Sequence, residues 1–345
     1  MNVLRGTMAT RMKRLALGMG LAVLAVGGVR TIYPNDSQDI SLRRLALNTD
    51  DLTQRQVGDL EFIAAWELRS RNDSFGGISA LTAISDGRFV GIGDAGTLIG
   101  FGLTTDDRTD QSFIAALPNL GASEVSYKDR DSEGIAYDPD SGQYWVSFEN
   151  KHAIRRYSRS FVRQTGIVRP REMKDWPSNK GAESIIRLKD GRFLVIAESI
   201  DDHLHPALLF SGDPIEPDSK ITMFKFRPPL GYRVTDGVQL PDGRIAILNR
   251  AIGFPHGFSA KVSLLTPANI GRDNIVSPKV IASLAAPLLV DNLEGIAVTG
   301  EGKDTLLWLI SDNNFTIMQR TILMKFRLSP QPDSKKPAAS TAPGL

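Results

Sequence analysis

The sequence predicts an all-β fold, a single β-propeller of four-stranded blades, and three observations lead to it. The 345 residues include 31 Gly and 19 Pro, with 41% hydrophobic and 23% charged residues, as expected for a turn-rich globular chain. Short apolar runs alternate with polar residues and are rich in β-branched side chains, which is typical of strands. A unit of two such runs recurs five times at intervals near fifty residues, the repeat length of a propeller blade.

The repeated unit is clearest in residues 291–314, with the sequence DNLEGIAVTGEGKDTLLWLISDNN. Two apolar runs, Gly295–Val298 and Leu306–Ile310, are joined by a Gly-rich turn at Thr299–Asp304, which indicates an antiparallel hairpin. Acidic and amide residues precede the first run and follow the second. Because the start of one strand lies beside the end of its antiparallel partner, we expect the two polar groups to meet.

Five copies of this hairpin follow one another along the chain. Their first strands begin at FGGISAL (75–81), SEGIAYD (132–138), AESIIRL (182–188), TDGVQLP (235–241) and LEGIAVT (293–299). The positions taken as equivalent are Gly77, Gly134, Ser184, Gly237 and Gly295, which are separated by 57, 50, 53 and 58 residues. Each interval has room for two more strands, so each copy predicts one blade.

The last repeat lacks an outer strand of its own. The segment Leu60–Leu68 (LEFIAAWEL) reads as a strand before the first repeat, and we expect it to pair with Thr321–Leu328 and close the ring. The repeat count gives five blades. Six blades are the alternative if residues 104–130 or 33–58 contain more strand than the pattern shows.

The ends of the chain lie outside the repeats. Residues 1–28 combine a basic start with the apolar run Leu15–Val29, which predicts a signal peptide and a periplasmic or secreted protein. The run is shorter than the roughly 20 residues of a spanning helix, and an uncleaved N-terminal anchor is the alternative. Residues 29–58 are interpreted as a lead-in segment, 59–329 as the propeller and 330–345 as a disordered tail.

Charge and cysteine content exclude several kinds of site. The chain has no cysteine, so disulfides, thiolate metal sites and cysteine nucleophiles are absent. The formal charge is +2, and removal of the first 28 residues with their four basic side chains would leave −2. We therefore expect no nucleic-acid partner. We also expect a monomer with no stable membrane span after signal removal.

Six motifs occur in a fixed order between residues 58 and 328. They are FGGIS (75–79), DSEGIAYDPDSGQYWVSFE (131–149), NKGAES (179–184), DGRFLVIAES (190–199), DNLEGIA (291–297) and LISDNN (309–314). Together they resemble the phytase-like domain family, bacterial exported proteins often described as esterase-like. The resemblance implies a propeller related to the calcium-dependent β-propeller phytases.

Two columns of polar residues are expected to converge at one face of the ring, where first strands start and second strands end. The first column is Glu133, Glu183, Asp236 and Glu294, with Gly76 in the remaining blade; the second is Asp94, Glu149, Glu198, Asn249 and Asp312. Clustered carboxylates repel one another unless a cation compensates, and oxygen ligands suit Ca²⁺, with Mg²⁺ or another divalent cation as alternatives. The predicted metal ligands are Glu133, Glu149, Glu183, Glu198, Asp236, Glu294 and Asp312. Alternatively, each acid caps its own blade by accepting backbone N–H bonds.

Cationic and imidazole side chains fall in the loops beside these columns. All four histidines, His152, His203, His205 and His256, follow a predicted second strand. Such groups beside a carboxylate-bound metal would hold a phosphate ester or another anion. The predicted substrate-binding residues are Lys180, Arg250, His203, His256 and Arg320.

These residues predict metal-assisted hydrolysis of a small ester, with phosphomonoesters first. A bound cation would orient water and polarise the ester, and Glu133, Glu183 or Glu294 would act as general base. The alternative is a non-enzymatic propeller that uses the same face to bind a ligand or an envelope protein, because this architecture serves both purposes. An open coordination position on the cation would favour the enzyme, and a saturated one the binding module.

Overall fold

The computed structural model describes residues 35–85, 87–118, 130–177, 179–198, 204–253, 257–270 and 275–329. The predicted signal peptide and the whole of the predicted disordered tail lie outside the described residues. So do two of the five predicted substrate-binding residues, His203 and His256. Within the described ranges, no helix has the length and apolar character needed to cross a membrane.

The described chain forms 23 strands, which we number in chain order. The first three are β1 (Ile40–Leu45), β2 (Gln56–Val57) and β3 (Leu60–Ser70). Blade one contains β4 (Ile78–Ser85), β5 (Arg88–Gly93), β6 (Thr97–Leu103) and β7 (Thr109–Ala116). Blade two contains β8 (Ser132–Tyr137), β9 (Tyr144–Phe148), β10 (Ala153–Tyr157) and β11 (Gln164–Val168).

The remaining blades follow the same plan. Blade three contains β12 (Ala182–Arg187), β13 (Phe193–Ala197), β14 (His205–Phe210) and β15 (Ile221–Phe226). Blade four contains β16 (Arg233–Gln239), β17 (Ile245–Gly253), β18 (Gly257–Leu265) and β20 (Lys279–Ala285), while the short β19 (Ile275–Val276) pairs parallel to β15. Blade five contains β21 (Leu293–Glu301), β22 (Asp304–Ser311) and β23 (Ile322–Leu328). The 3₁₀ turns are Arg159–Phe161, Arg171–Met173 and Pro267–Asn269.

Blade five is closed by a strand from the start of the chain. β23 pairs antiparallel with β3, from Ile322 opposite Glu67 to Leu328 opposite Leu60, so the predicted closure is confirmed. β1 and β2 also pair with β3, which gives the predicted lead-in a place at the edge of this blade. The structure is a five-bladed ring. The six-blade alternative is wrong, because strands in the two uncertain segments extend or complete existing blades.

The hydrophobic core is divided among the five interfaces between neighbouring blades, with one cluster of buried side chains at each. The cluster between blades five and one shows how the ring closes. There Trp308 meets Phe89 edge-on at 4.8 Å and stacks on Trp66 at 6.3 Å between ring centroids. Because blades bury both faces, second strands such as β13 are apolar at every position and fully buried.

A β-bulge near the start of every innermost strand positions the side chains at one face of the ring. The extra residues are Ser79, Glu133, Glu183, Thr235 and Glu294. A bulge leaves its extra residue out of the ladder and turns that side chain in a new direction. These residues lie at the face where the second strands end, and they bring three glutamates there.

The bulges correct the predicted alignment of blade four by one residue. There Val234 pairs with Asn249 and Asp236 pairs with Leu248, so Thr235 occupies the place of Glu133. On the second strand, the residue that follows the last pair before the bulge is Arg250 in blade four, whereas it is Glu149 in blade two. The column position assigned to Asn249 is therefore held by an arginine. The motif TDGV resembles SEGI in sequence, but the two are offset in the structure.

Candidate functional site

A polar cavity of about 180 Å³ opens at this face, and all five blades contribute to its wall. Its acidic lining comes from blades one, two, three and five: Asp94, Asp131, Glu133, Glu183, Glu198, Glu294 and Asp312. Its two cationic residues, Arg233 and Arg250, both come from blade four. The described lining is thus negative around most of the cavity and positive at one blade.

Two groups of carboxylates in blades two and three are close enough to share a cation. Asp131, Glu133 and Glu149 form one group, and Glu149, Glu183 and Glu198 form the other; within each, the oxygens lie within 4.8 Å of one another. Glu149 belongs to both groups, so they form one acidic patch across the two blades. Carboxylate oxygens without sulfur or nitrogen donors suit hard cations such as Ca²⁺ and Mg²⁺.

Burial and mutual repulsion hold protons on this patch. Burial is the main cause that raises the pKa of Glu133 and of Glu183 well above the usual range, and neighbouring carboxylates add to it. The pKa of Glu149 rises to about 8, chiefly through burial and then through a hydrogen bond with Asp131. A cation that binds here would displace these protons, so its affinity should increase with pH.

On the other side of the cavity, Arg250 lowers the pKa values of two carboxyl groups that burial raises. Burial raises the pKa of Glu294 to about 7 and that of Asp312 to about 6, and the Arg250 charge opposes both shifts. Arg250 Nη1 lies 3.2 Å from Glu294 Oε1 and donates a 2.5 Å hydrogen bond to Asn292 Oδ1. The second guanidinium, Arg233, is half-exposed and pairs with Glu198. Both arginines therefore line the cavity while bound to its acidic rim.

Asp236 lies one residue beyond the bulge and is not part of the cavity lining. Its Oδ1 accepts the Gly237 N–H at 2.7 Å, and its Oδ2 accepts the Ile296 N–H at 2.9 Å. The Leu81 N–H is a third donor, while burial raises the pKa of Asp236 well above its usual range. One carboxyl group thus joins the innermost strands of blades four, five and one. These contacts are those of the blade cap that the sequence offered as an alternative.

The remaining predicted substrate ligands lie outside the described cavity lining. Lys180 is partly buried in the turn before β12, where its N–H bonds to the Pro177 carbonyl. Arg320 Nε lies 3.5 Å from Asp291 Oδ2. Their roles, like those of His203 and His256, stay predictions.

Two histidines that were not predicted to bind substrate have structural contacts. His205 Nδ1 lies 2.7 Å from the Ala197 carbonyl oxygen, in a fully buried position at the start of β14. His152 Nε2 lies 2.9 Å from the Trp176 carbonyl oxygen, and the two rings meet edge-on. These contacts fix the start of β14 and the turn after β9.

Two charged cavity residues were not selected from the sequence. Asp131 lies two residues before Glu133, and its partners are Asn150 and Glu149. The signal was present as an acidic residue before each bulge in two blades, in the motifs DSEG and DNLEG. Arg233 begins β16 opposite Arg250, and only the strand register reveals that it faces the cavity.

Comparison with known proteins identifies the family. A family model described as "Phytase-like: Esterase-like activity of phytase" matches residues 73–315. The chain belongs to this phytase-like family. A search of the curated proteins found no match. Among solved structures, this phytase-like chain is similar to hydrazine synthase of Kuenenia stuttgartiensis, with a TM-score of 0.38 and 10% identity over 69% of this chain and 77% of that one.

Proposed function

We propose that this phytase-like propeller hydrolyses small anionic esters, phosphomonoesters first, with the help of a divalent cation. One observation carries the proposal: an oxygen-only acidic patch on blades two and three shares a cavity with two arginines from blade four. A cation site beside guanidinium groups is what a negatively charged ester requires, because the metal and the arginines bind different oxygens of one anion.

The residues present fit a hard cation. The patch offers only carboxylate oxygens; burial first, and neighbouring carboxylates second, raise the pKa values of Glu133, Glu149 and Glu183, and a bound cation would offset both effects. Asp131, Glu133, Glu149, Glu183 and Glu198 would hold the ion. When bound, it would polarise the ester oxygen and make a water molecule more acidic.

Glu294 is the carboxylate best suited to move a proton. Its pKa of about 7 leaves both protonation states available near neutral pH, and its side chain lines the cavity. Arg250 Nη1 lies 3.2 Å from this carboxylate, and Arg250 lines the same cavity. A phosphate or carboxylate group of the substrate would accept from Arg250, with its scissile bond beside Glu294.

A hydrolase panel tests the proposal directly. The protein is assayed on p-nitrophenyl phosphate, phosphodiester and short acyl esters, with added Ca²⁺ and with chelator. We expect hydrolysis that depends on the cation and that Glu294→Gln reduces about 100-fold or more. Glu301→Gln, which changes an exposed acid at the far end of the same strand, serves as the control. Turnover that is unaffected by chelator or by Glu294→Gln would contradict the proposal.

A second candidate, a ligand-binding module without catalysis, is favoured by the internal pairing of the rim. Arg233 binds Glu198, Arg250 binds Glu294, and the Asn314 N–H donates to Asp312 at 2.7 Å. These pairs occupy the two cationic groups that a catalytic site would direct at a substrate. Calorimetric binding of Ca²⁺ or phosphate without turnover on any ester would support this candidate.

We also propose export from the cytoplasm, on the basis of the basic and apolar pattern in residues 1–28. Mass spectrometry of the exported protein should give a first residue near Val29. An intact Met1 in the membrane fraction would support the alternative of a retained anchor.

A further inference from the structure

A buried amide supports the blade-five side of the cavity. Asn292 lies two residues before the bulged residue Glu294, and only 1% of its surface is exposed. Its side chain contacts two charged groups of the cavity: Oδ1 accepts from Arg250 Nη1 at 2.5 Å, and the same side chain hydrogen-bonds to Glu294. Asn292 is not among the described residues that line the cavity, so its contacts reach a bound ligand through these two groups.

The two partners determine which way the amide faces. A guanidinium offers only donors and a carboxylate only accepts, so the amide oxygen faces Arg250 and the amide nitrogen faces Glu294. The backbone of Asn292 is held as well, because its N–H donates to Asp291 Oδ1 and its carbonyl accepts the Asp312 N–H, both at 2.9 Å. The amide therefore links Arg250 of blade four to Glu294 of blade five, whose Nη1 and Oε1 are 3.2 Å apart.

The same backbone position carries an acid in blade two. There the Asp131 carbonyl accepts the Glu149 N–H, just as the Asn292 carbonyl accepts the Asp312 N–H in blade five. Both blades have a glutamate at the bulge and an acid after the second strand, so this position distinguishes them. With Asp131, blade two has three carboxylates close enough to share a cation. With a neutral amide, blade five has one carboxylate fewer and an acceptor for Arg250.

We propose that Asn292 is the positioning residue that makes the blade-five side of the cavity bind an oxyanion rather than a cation. It holds the Arg250 guanidinium at the cavity wall and adds no negative charge there. The expected ligand group is a phosphate or another oxyanion, because the planar donor fork of a guanidinium matches the geometry of such groups. The inference rests on the proposed role of Arg250 in anion binding, and it names the residue on which that role depends.

Titration calorimetry with inorganic phosphate tests the inference on the full chain. Asn292→Leu removes both side-chain hydrogen bonds with a side chain of similar shape, and we expect it to weaken phosphate binding about tenfold, because Arg250 is no longer held. Asn292→Asp gives blade five the residue type of blade two. It should weaken binding at least as much, because its carboxylate pairs with Arg250 and repels the anion. Phosphate affinity equal to that of the wild type in either variant would overturn the proposal.

A double-mutant cycle and a matched control separate positioning from a general effect on the fold. In the Arg250→Gln background, Asn292→Leu should change phosphate affinity less than twofold, because the group that it positions is gone. The control is Asn48→Leu, which replaces another buried amide; its side chain bonds to Gln54 and Asp50 in the lead-in segment, so phosphate should bind as to the wild type. A tenfold loss in the Arg250→Gln background, or an equal loss in Asn48→Leu, would overturn the proposal.

The measured quantity is phosphate binding and not turnover, so the outcome is separate from that of the hydrolase panel. A protein that hydrolyses no ester but loses phosphate affinity through Asn292→Leu would contradict the proposed hydrolysis and support this inference. Cation-dependent hydrolysis together with unchanged phosphate affinity in both Asn292 variants would support the hydrolysis and overturn the inference.

Discussion

Blades two and three carry glutamates at the positions where blade four carries a threonine and an arginine. The bulged residue is Glu133 or Glu183 in the former and Thr235 in the latter. On the second strand, the residue that follows the last pair before the bulge is acidic in blades two and three and is Arg250 in blade four. The backbone device is the same in all three, so the fold decides where the side chains point. The choice of residue then decides whether a blade attracts a cation or an anion.

A second difference concerns the position after the bulge. Blade two has Gly134 there, blade three has Ser184 and blade four has Asp236. A Cβ at Gly134 would come within 2.9 Å of a backbone nitrogen in the next blade, which shows how closely the innermost strands approach. In blade four the Asp236 carboxylate accepts the corresponding N–H groups instead. In blade four the acidic side chain, Asp236, therefore lies between the innermost strands and not in the cavity lining.

The largest expected effect is that of Asp236→Ala on stability. The change leaves three backbone N–H groups without an acceptor around a fully buried position. Unpaired buried donors cost about 1–3 kcal/mol each, so the free energy of unfolding should fall by roughly 3–5 kcal/mol after local relaxation. Denaturant unfolding followed by circular dichroism measures it.

The matched control is Ser184→Ala at the equivalent position of blade three. That hydroxyl is buried without a hydrogen-bond partner among the described residues, so its removal should cost less than about 1 kcal/mol. Equal stability of Asp236→Ala and wild type would show that Asp236 does not join the blades.

Calcium binding to the acidic patch is the next largest effect. A cation that binds only the folded protein stabilises it by about 2.7 kcal/mol at a hundredfold excess over its dissociation constant. We expect Ca²⁺ to raise the Tm, and Glu149→Gln to remove most of the increase, because Glu149 belongs to both carboxylate groups. Glu183→Gln with Glu294→Gln should remove it as well.

Arg250→Lys is the contrasting variant, because it alters the blade-four side and leaves the patch intact. It should keep the calcium-dependent rise in Tm. If Ca²⁺, Mg²⁺, Mn²⁺ and Zn²⁺ all leave the wild-type melting curve unchanged, the proposed metal site is contradicted. The acidic residues would then serve only to cap the blades.

The sequence predicted the ring well because the signals of a propeller repeat in every blade. Alternating apolar runs marked the hairpins, and the closing pair of β3 and β23 followed from the missing outer strand of the last repeat. Those signals depend on local periodicity and on repeat counting, which tolerate an error of one residue. The lead-in strands β1 and β2 were not recognised as part of blade five, because they are short and lie far from their partner repeat.

The site was predicted less completely because it depends on register. Alignment by the D-G and E-G pairs placed Asp236 and Asn249 in the columns, whereas the bulge selects Thr235 and Arg250. A bulge has no mark of its own in these sequences. Arg233 could not be recognised for the same reason, since a one-residue change of register decides which face a strand residue occupies.

The effect of pH on stability reports on carboxyl groups from both sides of the cavity. The pKa values of Glu149, Glu294 and Asp312 are about 8, 7 and 6 when folded, and burial is the first cause of each rise. At any pH between the unfolded pKa values, near 4, and these folded pKa values, the folded protein binds more protons than the unfolded chain does. Stability is therefore complete at low pH and falls as pH rises through the folded values. In chelator we expect a loss of about 2 kcal/mol from pH 5 to pH 8, allowing for solvent screening.

Melting curves across this range measure the loss, and Glu149→Gln should make them flatter. Added Ca²⁺ should raise the Tm more at pH 8 than at pH 5, because the cation competes with protons for the same oxygens. A Tm in chelator that rises between pH 5 and pH 8 would contradict the assigned direction of these pKa values.

The smallest expected effect is that of Arg233→Gln. It tests whether the arginines of blade four bind an anionic ligand. Arg233 is half-exposed, so its pair with Glu198 should contribute about 0.5 kcal/mol or less to stability. Its charge still lines the cavity, and its loss should weaken inorganic phosphate binding about threefold at low salt, with the difference shrinking at high salt.

Arg250→Gln removes the same charge from a more buried position, so its loss of phosphate affinity should be larger and less sensitive to salt. Isothermal titration at two ionic strengths measures both variants. Phosphate affinity that neither substitution changes would show that blade four balances the acidic patch without binding an anion.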